Sequence, residues 1–131
     1  KATLMGGDGW PSEILIQMAK DAVHGSYVVN HLDFDDPEVQ DFKTRYTAKY
    51  KRAVELNGFL AHDAFMMFVD AAKRANSLNP AAIRDALEST NIKGITGNIR
   101  INPATHNPEG KEAAIIRIMN GNYVFQQKYA P

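Results

Sequence analysis

The feature that most constrains the fold is a glycine cluster between an apolar segment and an amphipathic helix. The apolar residues 2–5 predict a short buried strand, which ends at Gly6-Gly7-Asp8-Gly9. Pro11 and Ser12 are expected to open a helix, and Tyr27-Val28-Val29 is rich in β-formers and predicts a second strand. The order strand, glycine loop, helix, strand is typical of a βαβ unit with parallel strands. The sequence therefore favours an α/β sheet.

The middle of the chain is predicted to be helical. Asp36 before Pro37, and Asn79 before Pro80, each place a capping side chain ahead of a proline that suits the first helical turn. A further helix follows Gly58 between these two. Its apolar residues recur at helical spacing, which predicts a largely buried face. They are Ala61, Ala64, Phe65, Phe68, Val69 and Ala72.

The last third of the chain changes to strand patterns. Residues 95–101 alternate in polarity and predict a strand that ends before Pro103. Two β-rich runs, residues 113–119 and 122–128, flank Asn120-Gly121, which is a strong hairpin signal. The predicted fold class is therefore α/β, a three-layer arrangement of a parallel or mixed sheet flanked by helices and ending in a β-hairpin.

Composition excludes several functional classes. Fifteen basic and 15 acidic side chains give no net charge, which argues against a nucleic-acid binder. The chain has no Cys, so thiolate metal sites and thiol catalysis are excluded. No segment approaches the roughly 18 apolar residues of a membrane helix. Because the chain begins at Lys1 rather than Met, we expect it to be part of a longer polypeptide.

Asp8 has the clearest functional meaning, because open α/β sheets bind ligands where strands end and helices begin. A carboxylate there repels phosphate and attracts a cation such as an ammonium group. A charge-assisted hydrogen bond of this kind contributes about 1.5–3 kcal/mol. The alternative is that Asp8 stabilises the turn or the helix N-terminus. Trp10 either forms a pocket wall or packs on the core, and packing is favoured.

Other reactive residues form no recognisable site. The four His lack metal-ligand spacing and are expected to be structural, and no Ser lies in a nucleophile motif. The acids at 33, 35 and 36 do not fit a calcium loop, because Glu38 and Thr44 occupy its sixth and twelfth positions. We therefore expect no catalytic residue, no metal and no cofactor.

Five short motifs follow one another along nearly the whole chain, and their order and spacing are specific. Together they resemble the C-terminal part of type I periplasmic solute-binding proteins, most of all the branched-chain amino-acid-binding family of ABC importers. The motifs are Gly6-Gly7-Asp8-Gly9-Trp10; Asp36-Pro37-Glu38 with Phe42 and Tyr46; His62-Asp63-Ala64 with Ala71-Ala72; Ile83-Arg84-Asp85-Ala86-Leu87; and Gly94-Ile95-Thr96-Gly97 leading through Thr105-His106-Asn107-Pro108 to Asn120-Gly121.

The resemblance implies two α/β lobes that are joined by a hinge and close on a ligand. Residues 1–30 would belong to the second lobe and residues 32–116 to the first. Residues 117–131 would form the closing hairpin strand that crosses back to the second lobe. The chain would then lack the first part of each lobe, and we expect it to self-associate through exposed strands.

The resemblance also implies where the ligand binds. An acid in this glycine loop accepts the ligand's α-ammonium in amino-acid-binding members, and Asp8 matches that position. His62 stands where many members have Tyr, which leaves the ligand class open. The implied ligand-binding residues are Asp8, Gly7, Gly9, Trp10, Phe59 and His62.

The function that the resemblance implies is capture of an amino acid, of branched-chain type or similar, for a membrane permease. Such a protein is not an enzyme, needs no cofactor and no nucleic acid, and acts in the periplasm or anchored outside the cell membrane. Aromatic acids or amides are alternative ligands, and a ligand-sensing regulatory domain on the same fold is an alternative role. A small α/β enzyme with Asp8 as general base is least favoured, since no partner acid is visible.

Overall fold

The computed structural model describes residues 2–130, which form two compact units. The first unit comprises residues 2–55 with 112–130, and the second comprises residues 56–111. No helix within residues 2–130 combines the length and apolar content needed to span a membrane. In chain order the elements are β1 (Met5–Gly6), α1 (Glu13–Ala19), a 3-10 turn (Lys20–Val23), β2 (Tyr27–Asn30), α2 (Pro37–Tyr50), α3 (Leu56–Ala75), α4 (Pro80–Leu87), β3 (Asn91–Gly94), β4 (Gly97–Ile101), β5 (Pro108–Glu109), β6 (Ala113–Met119) and β7 (Asn122–Tyr129).

The first unit is built on a four-stranded sheet in the order β1-β2-β6-β7. β1 and β2 are parallel, with Met5 opposite Tyr27, whereas β6 runs antiparallel to both β2 and β7. Asn120 and Gly121 have φ values of 51° and 75°, as a two-residue turn between β6 and β7 requires. The predicted βαβ opening and the predicted hairpin are both confirmed.

One face of this sheet forms the core of the first unit. Alternate residues of β6 are buried, as expected for a strand with one face covered. Helix α1 packs against the core cluster through Leu15, Ile16 and Ala19, which are partly buried. The buried cluster itself consists of Val23, Val28, Ala114, Ile116 and Ile118.

The start of the chain differs from the prediction in two respects. The first strand is Met5–Gly6, of which Gly6 is buried, whereas Met5 is 64% exposed and Leu4 before it is 50% exposed. The reason is that β1 lies at the edge of the sheet, where the described residues give it β2 as a neighbour on one side. Helix α1 begins after Pro11, because the Ser12 hydroxyl caps it by accepting the Leu15 N–H at 3.1 Å.

The two predicted Asx-Pro helix starts are confirmed. Asp36 accepts the N–H of Glu38 at 2.9 Å, and α2 then starts at its proline. Asn79 accepts the N–H of Ala81 at 2.9 Å ahead of α4. Each cap satisfies one N–H that the first helical turn leaves unpaired.

The second unit packs α3 against α4 and against the antiparallel sheet β3-β4-β5. The predicted buried stripe of α3 is wrong, since Phe65 and Phe68 are 63% and 45% exposed. The buried residues of this helix include Phe59, Asp63 and Ala71. Asp63 accepts hydrogen bonds from the turn between β3 and β4, so this side of α3 is the one held against the sheet.

The predicted strand over residues 95–101 is also partly wrong. Ile95 and Thr96 form a turn that follows β3, and the strand β4 begins only at Gly97. Gly97 has a φ of 96°, a conformation that favours glycine. The alternation of residues 95–101 does not indicate that the N–H groups of Ile95 and Thr96 donate to the carboxylate of Asp63, which is distant in sequence.

Candidate functional site

The glycine loop is a tight turn between β1 and α1. The Trp10 N–H donates to the Gly7 carbonyl at 3.1 Å, which makes Asp8 and Gly9 the central residues of the turn. A Cβ on Gly6 would lie 2.0 Å from the Trp10 indole, so this position must be glycine. A Cβ on Gly7 or Gly9 would meet open space. The loop is therefore closed on the Gly6 side by the indole and open around Asp8.

Trp10 and Tyr123 anchor the glycine loop to the core cluster of the first unit. The partly buried indole packs against the core cluster, as the packing interpretation predicts. The Tyr123 hydroxyl accepts the Ser12 N–H at 3.0 Å and donates to the Ser12 carbonyl at 2.9 Å. Burial raises the pKa of the Tyr123 phenol, although the hydrogen bond from Ser12 opposes this. The phenol therefore stays protonated and keeps the helix entry attached to β7.

The Asp8 carboxylate lies against an imidazole that the sequence-based prediction treated as structural. His31 Nε2 is 2.9 Å from Asp8 Oδ2, and the two side chains are 37% and 59% exposed. Because a carboxylate only accepts, Nε2 is the donor of this bond. His31 directly follows β2, and parallel neighbours such as β1 and β2 end at the same sheet edge. Since Asp8 follows β1 and His31 follows β2, the parallel pairing of these strands is the feature from which the contact could have been predicted.

Asn30 fixes the backbone that carries this imidazole. It is the last residue of β2, and only 2% of it is exposed. Its Oδ1 accepts the His31 N–H at 2.8 Å. Within residues 2–130 its Nδ2 is buried without a hydrogen-bond partner. The backbone of His31 is therefore tied to the end of β2.

In the second unit, Asp63 is the residue of the His62-Asp63-Ala64 motif that makes the structural contacts. The Asp63 carboxylate is 3% exposed and accepts the N–H of Ile95 at 2.9 Å. It also accepts both the N–H and the hydroxyl of Thr96, at 2.8 and 2.7 Å. A Cβ on Gly94 would lie 2.5 Å from Oδ2, so no side chain fits there. Asp63 thus ties α3 to the β3–β4 turn.

The electrostatics of this cluster agree with that structural role. Burial alone would raise the pKa of Asp63, but the hydrogen bonds from Thr96, Ile95 and His62 together outweigh it and hold the pKa below its usual value. Lys111 Nζ donates to the carbonyl and hydroxyl oxygens of Thr96, each at 2.8 Å. Burial lowers the pKa of Lys111, and the charge of Asp63 opposes this in part.

The predicted ligand-binding residues are divided between the two units. His62 has a side chain that is 37% exposed, and its Nδ1 is 3.3 Å from Asp63 Oδ1. Phe59 is 1% exposed and belongs to the buried set of α3. Among residues 2–130, no group of three or more His, Asp and Glu side chains is arranged to hold a metal ion. Asp8, Gly7, Gly9 and Trp10 lie in the first unit, and Phe59 and His62 lie in the second.

The comparisons with known proteins agree with the motif resemblance. The sequence profile described as periplasmic binding protein matches residues 1–122. No curated protein matches the chain.

The solved structures that share the fold include the following three. A leucine-binding protein of Thermotoga maritima has 25% identity and a TM-score of 0.83, over 100% of this chain and 38% of that one. The branched-chain amino-acid transporter substrate-binding protein LivJ of Streptococcus pneumoniae, in complex with isoleucine, has 25% identity and a TM-score of 0.84 over the same shares. A solute-binding protein of R. palustris, in complex with benzoate, has 22% identity and a TM-score of 0.74, over 98% of this chain and 36% of that one. The chain thus spans less than two-fifths of the length of these proteins.

Proposed function

This chain belongs to the periplasmic binding protein family, and on that premise we propose that it is part of the solute-binding component of an ABC importer. Its ligand is an amino acid of branched-chain type, which the protein captures outside the cytoplasm and passes to a membrane permease. The likeness to a leucine-binding protein and to a branched-chain amino-acid-binding protein, each at 25% identity, supports this ligand class. Binding and release, without catalysis, make up the proposed activity.

The observation that carries the proposal is the Asp8 carboxylate. It is 59% exposed, stands where a strand of a parallel pair ends, and lies in a turn whose backbone is open to solvent. An α-ammonium group carries up to three N–H donors and a positive charge, so an exposed carboxylate is its natural acceptor. In the proposal Asp8 binds the ammonium group, and the small residues Gly7 and Gly9 leave room for the ligand to approach.

The remaining predicted contacts are part of the proposal but rest on the family resemblance. Trp10 would contact the ligand with the part of its indole that the core leaves uncovered. Phe59 and His62 are proposed as ligand-binding residues on the same resemblance. The lobe assignment of residues 1–30, 32–116 and 117–131 is likewise proposed.

The proposal is tested by calorimetric titration of the whole protein that contains this chain, with leucine, isoleucine, benzoate and isocaproate. Isocaproate is leucine without its ammonium group. Asp8→Asn should weaken leucine binding about tenfold or more, because a charge-assisted hydrogen bond of about 1.5–3 kcal/mol is lost. The affinity for isocaproate should stay the same.

Glu13→Gln is the matched control, because Glu13 is another exposed acid of the first unit, in the first turn of α1. It should leave the affinity for both ligands unchanged. An Asp8→Asn variant that binds leucine as tightly as the wild type would remove Asp8 from the site. Saturable binding of benzoate without binding of leucine would move the protein to the aromatic-acid alternative.

A further inference from the structure

We propose that His31 is a specificity-determining residue of the Asp8 site. Its imidazole Nε2 holds one oxygen of the carboxylate in place, so that the other oxygen remains available to a cationic ligand group. The inference rests on the proposed function, in which Asp8 accepts the ammonium group of an amino acid. It adds a residue that selects for ligands with a positive charge.

The two oxygens of the Asp8 carboxylate have different hydrogen-bonding environments. Within residues 2–130, the hydrogen bond to Asp8 comes from His31 Nε2, at 2.9 Å from Oδ2. This bond orients the carboxylate and leaves Oδ1 for a second donor. Asp8 is a central residue of an exposed turn, so its side chain would otherwise rotate freely in solvent. His31 therefore fixes the direction in which Oδ1 faces.

The charge of the donor also differs between residue types. An imidazole can donate from Nε2 without carrying a charge, whereas the side chains of Lys and Arg are cations at neutral pH. A permanent cation 2.9 Å from Asp8 would cancel its charge and repel an arriving ammonium group. A neutral donor gives the same geometry without that competition. An imidazole at position 31 can therefore hold Asp8 without the permanent positive charge that Lys or Arg would bring.

His31 is itself held in place. Its N–H donates to Oδ1 of Asn30 at 2.8 Å, and Asn30 is buried at the end of β2. The other histidine of the first unit described by the structure, His24, precedes β2 at its opposite end and accepts the Asn120 N–H at 3.2 Å with Nδ1. His24 therefore serves as a matched control that has no contact with Asp8.

The test compares the variants His31→Gln and His31→Lys in the whole protein, with leucine and isocaproate as probes. Gln supplies a neutral N–H donor and should keep leucine binding within about threefold of the wild type. Lys supplies a permanent cation and should weaken leucine binding about tenfold or more, while isocaproate binds equally well or more tightly. His24→Gln and His24→Lys should leave the ratio of the two affinities unchanged.

The inference is overturned if His31→Lys changes the affinities for leucine and isocaproate by the same factor, because His31 would then have only a structural role. The proposed function would survive that result, provided that Asp8→Asn still loses leucine selectively. If Asp8→Asn leaves leucine affinity unchanged, the proposed ammonium contact fails, and the inference fails with it.

A second measurement covers the case in which His31→Lys does not fold. The imidazole resonances of His31 and His24 are followed by NMR in the wild-type protein as leucine is added. Saturation with leucine should shift the His31 ring signals, because the ammonium group withdraws charge from the carboxylate that they contact, and should leave His24 unshifted. Saturation without a change at His31 contradicts the inference.

Discussion

The two units of the molecule each contain an aspartate–histidine pair, and the two pairs differ in what surrounds the carboxylate. The histidines, His31 and His62, are equally exposed, at 37%. Asp8 is 59% exposed and accepts one hydrogen bond from the described residues, whereas Asp63 is 3% exposed and also accepts three hydrogen bonds from the turn between β3 and β4. The same two side-chain types therefore occupy opposite environments.

The difference lies in how much hydrogen-bonding capacity each carboxylate has left for a ligand. A carboxylate has about four acceptor positions. Asp63 uses its acceptor positions for hydrogen bonds from Ile95 and Thr96. A ligand that bound Asp63 would have to replace these bonds and so disrupt the turn. Asp8 keeps acceptor positions in solvent, at a sheet edge where ligands bind in related architectures. Asp63 is therefore a structural residue, and Asp8 is the candidate ligand contact.

The largest expected effect is the loss of stability when the buried Asp63 is replaced. Asp63→Ala should lower the free energy of unfolding by about 3 kcal/mol or more, because the N–H groups of Ile95 and Thr96 lose a charged acceptor. Urea denaturation measures the change. The control is Asp70→Ala on the same helix, whose surface pair with Arg74 should be worth less than about 1 kcal/mol. Equal losses in the two variants would break the comparison.

An intermediate effect is expected at acid pH. The pKa of Asp63 in the folded protein lies below its unfolded value of about 3.9, so its stabilising contribution is fully present above that pH. The contribution is lost as the pH falls through the folded value. The free energy of unfolding should therefore drop more steeply below about pH 4 in the wild type than in Asp63→Asn. Parallel pH profiles for the two proteins would show that Asp63 does not titrate in this way.

The smallest effect on stability is expected when the exposed Asp8 is replaced. Asp8→Ala should change the free energy of unfolding by less than about 1 kcal/mol, because the pair with His31 is open to solvent. The same urea denaturation measures it, and Glu13→Ala provides a surface control from the same unit. A loss comparable with that of Asp63→Ala would mean that Asp8 stabilises the turn, which is the alternative that the sequence left open.

The candidate site illustrates what could be predicted from sequence and what could not. The position of Asp8 follows from adjacent residues, since a strand, a glycine loop and a helix are all encoded within the first 20 positions. His31 lies 23 residues away, and the sequence predicts only a structural role for it. Its contact with Asp8 depends on β1 and β2 being neighbours and on where each strand stops. The family resemblance, in contrast, came from short motifs and was confirmed by the profile match.

Features whose causes act over a few residues follow from the sequence alone. The caps at Asp36 and Asn79 and the turn at Asn120-Gly121 depend on local hydrogen bonds and backbone preferences, and all three are as predicted. Tertiary structure alone decided which face of α3 is buried and where residues 95–101 turn. Both depend on Asp63, which accepts N–H groups 32 and 33 residues further along the chain. A helical pattern with apolar residues on two sides cannot specify which side is covered, because that choice is made by the element that packs against it.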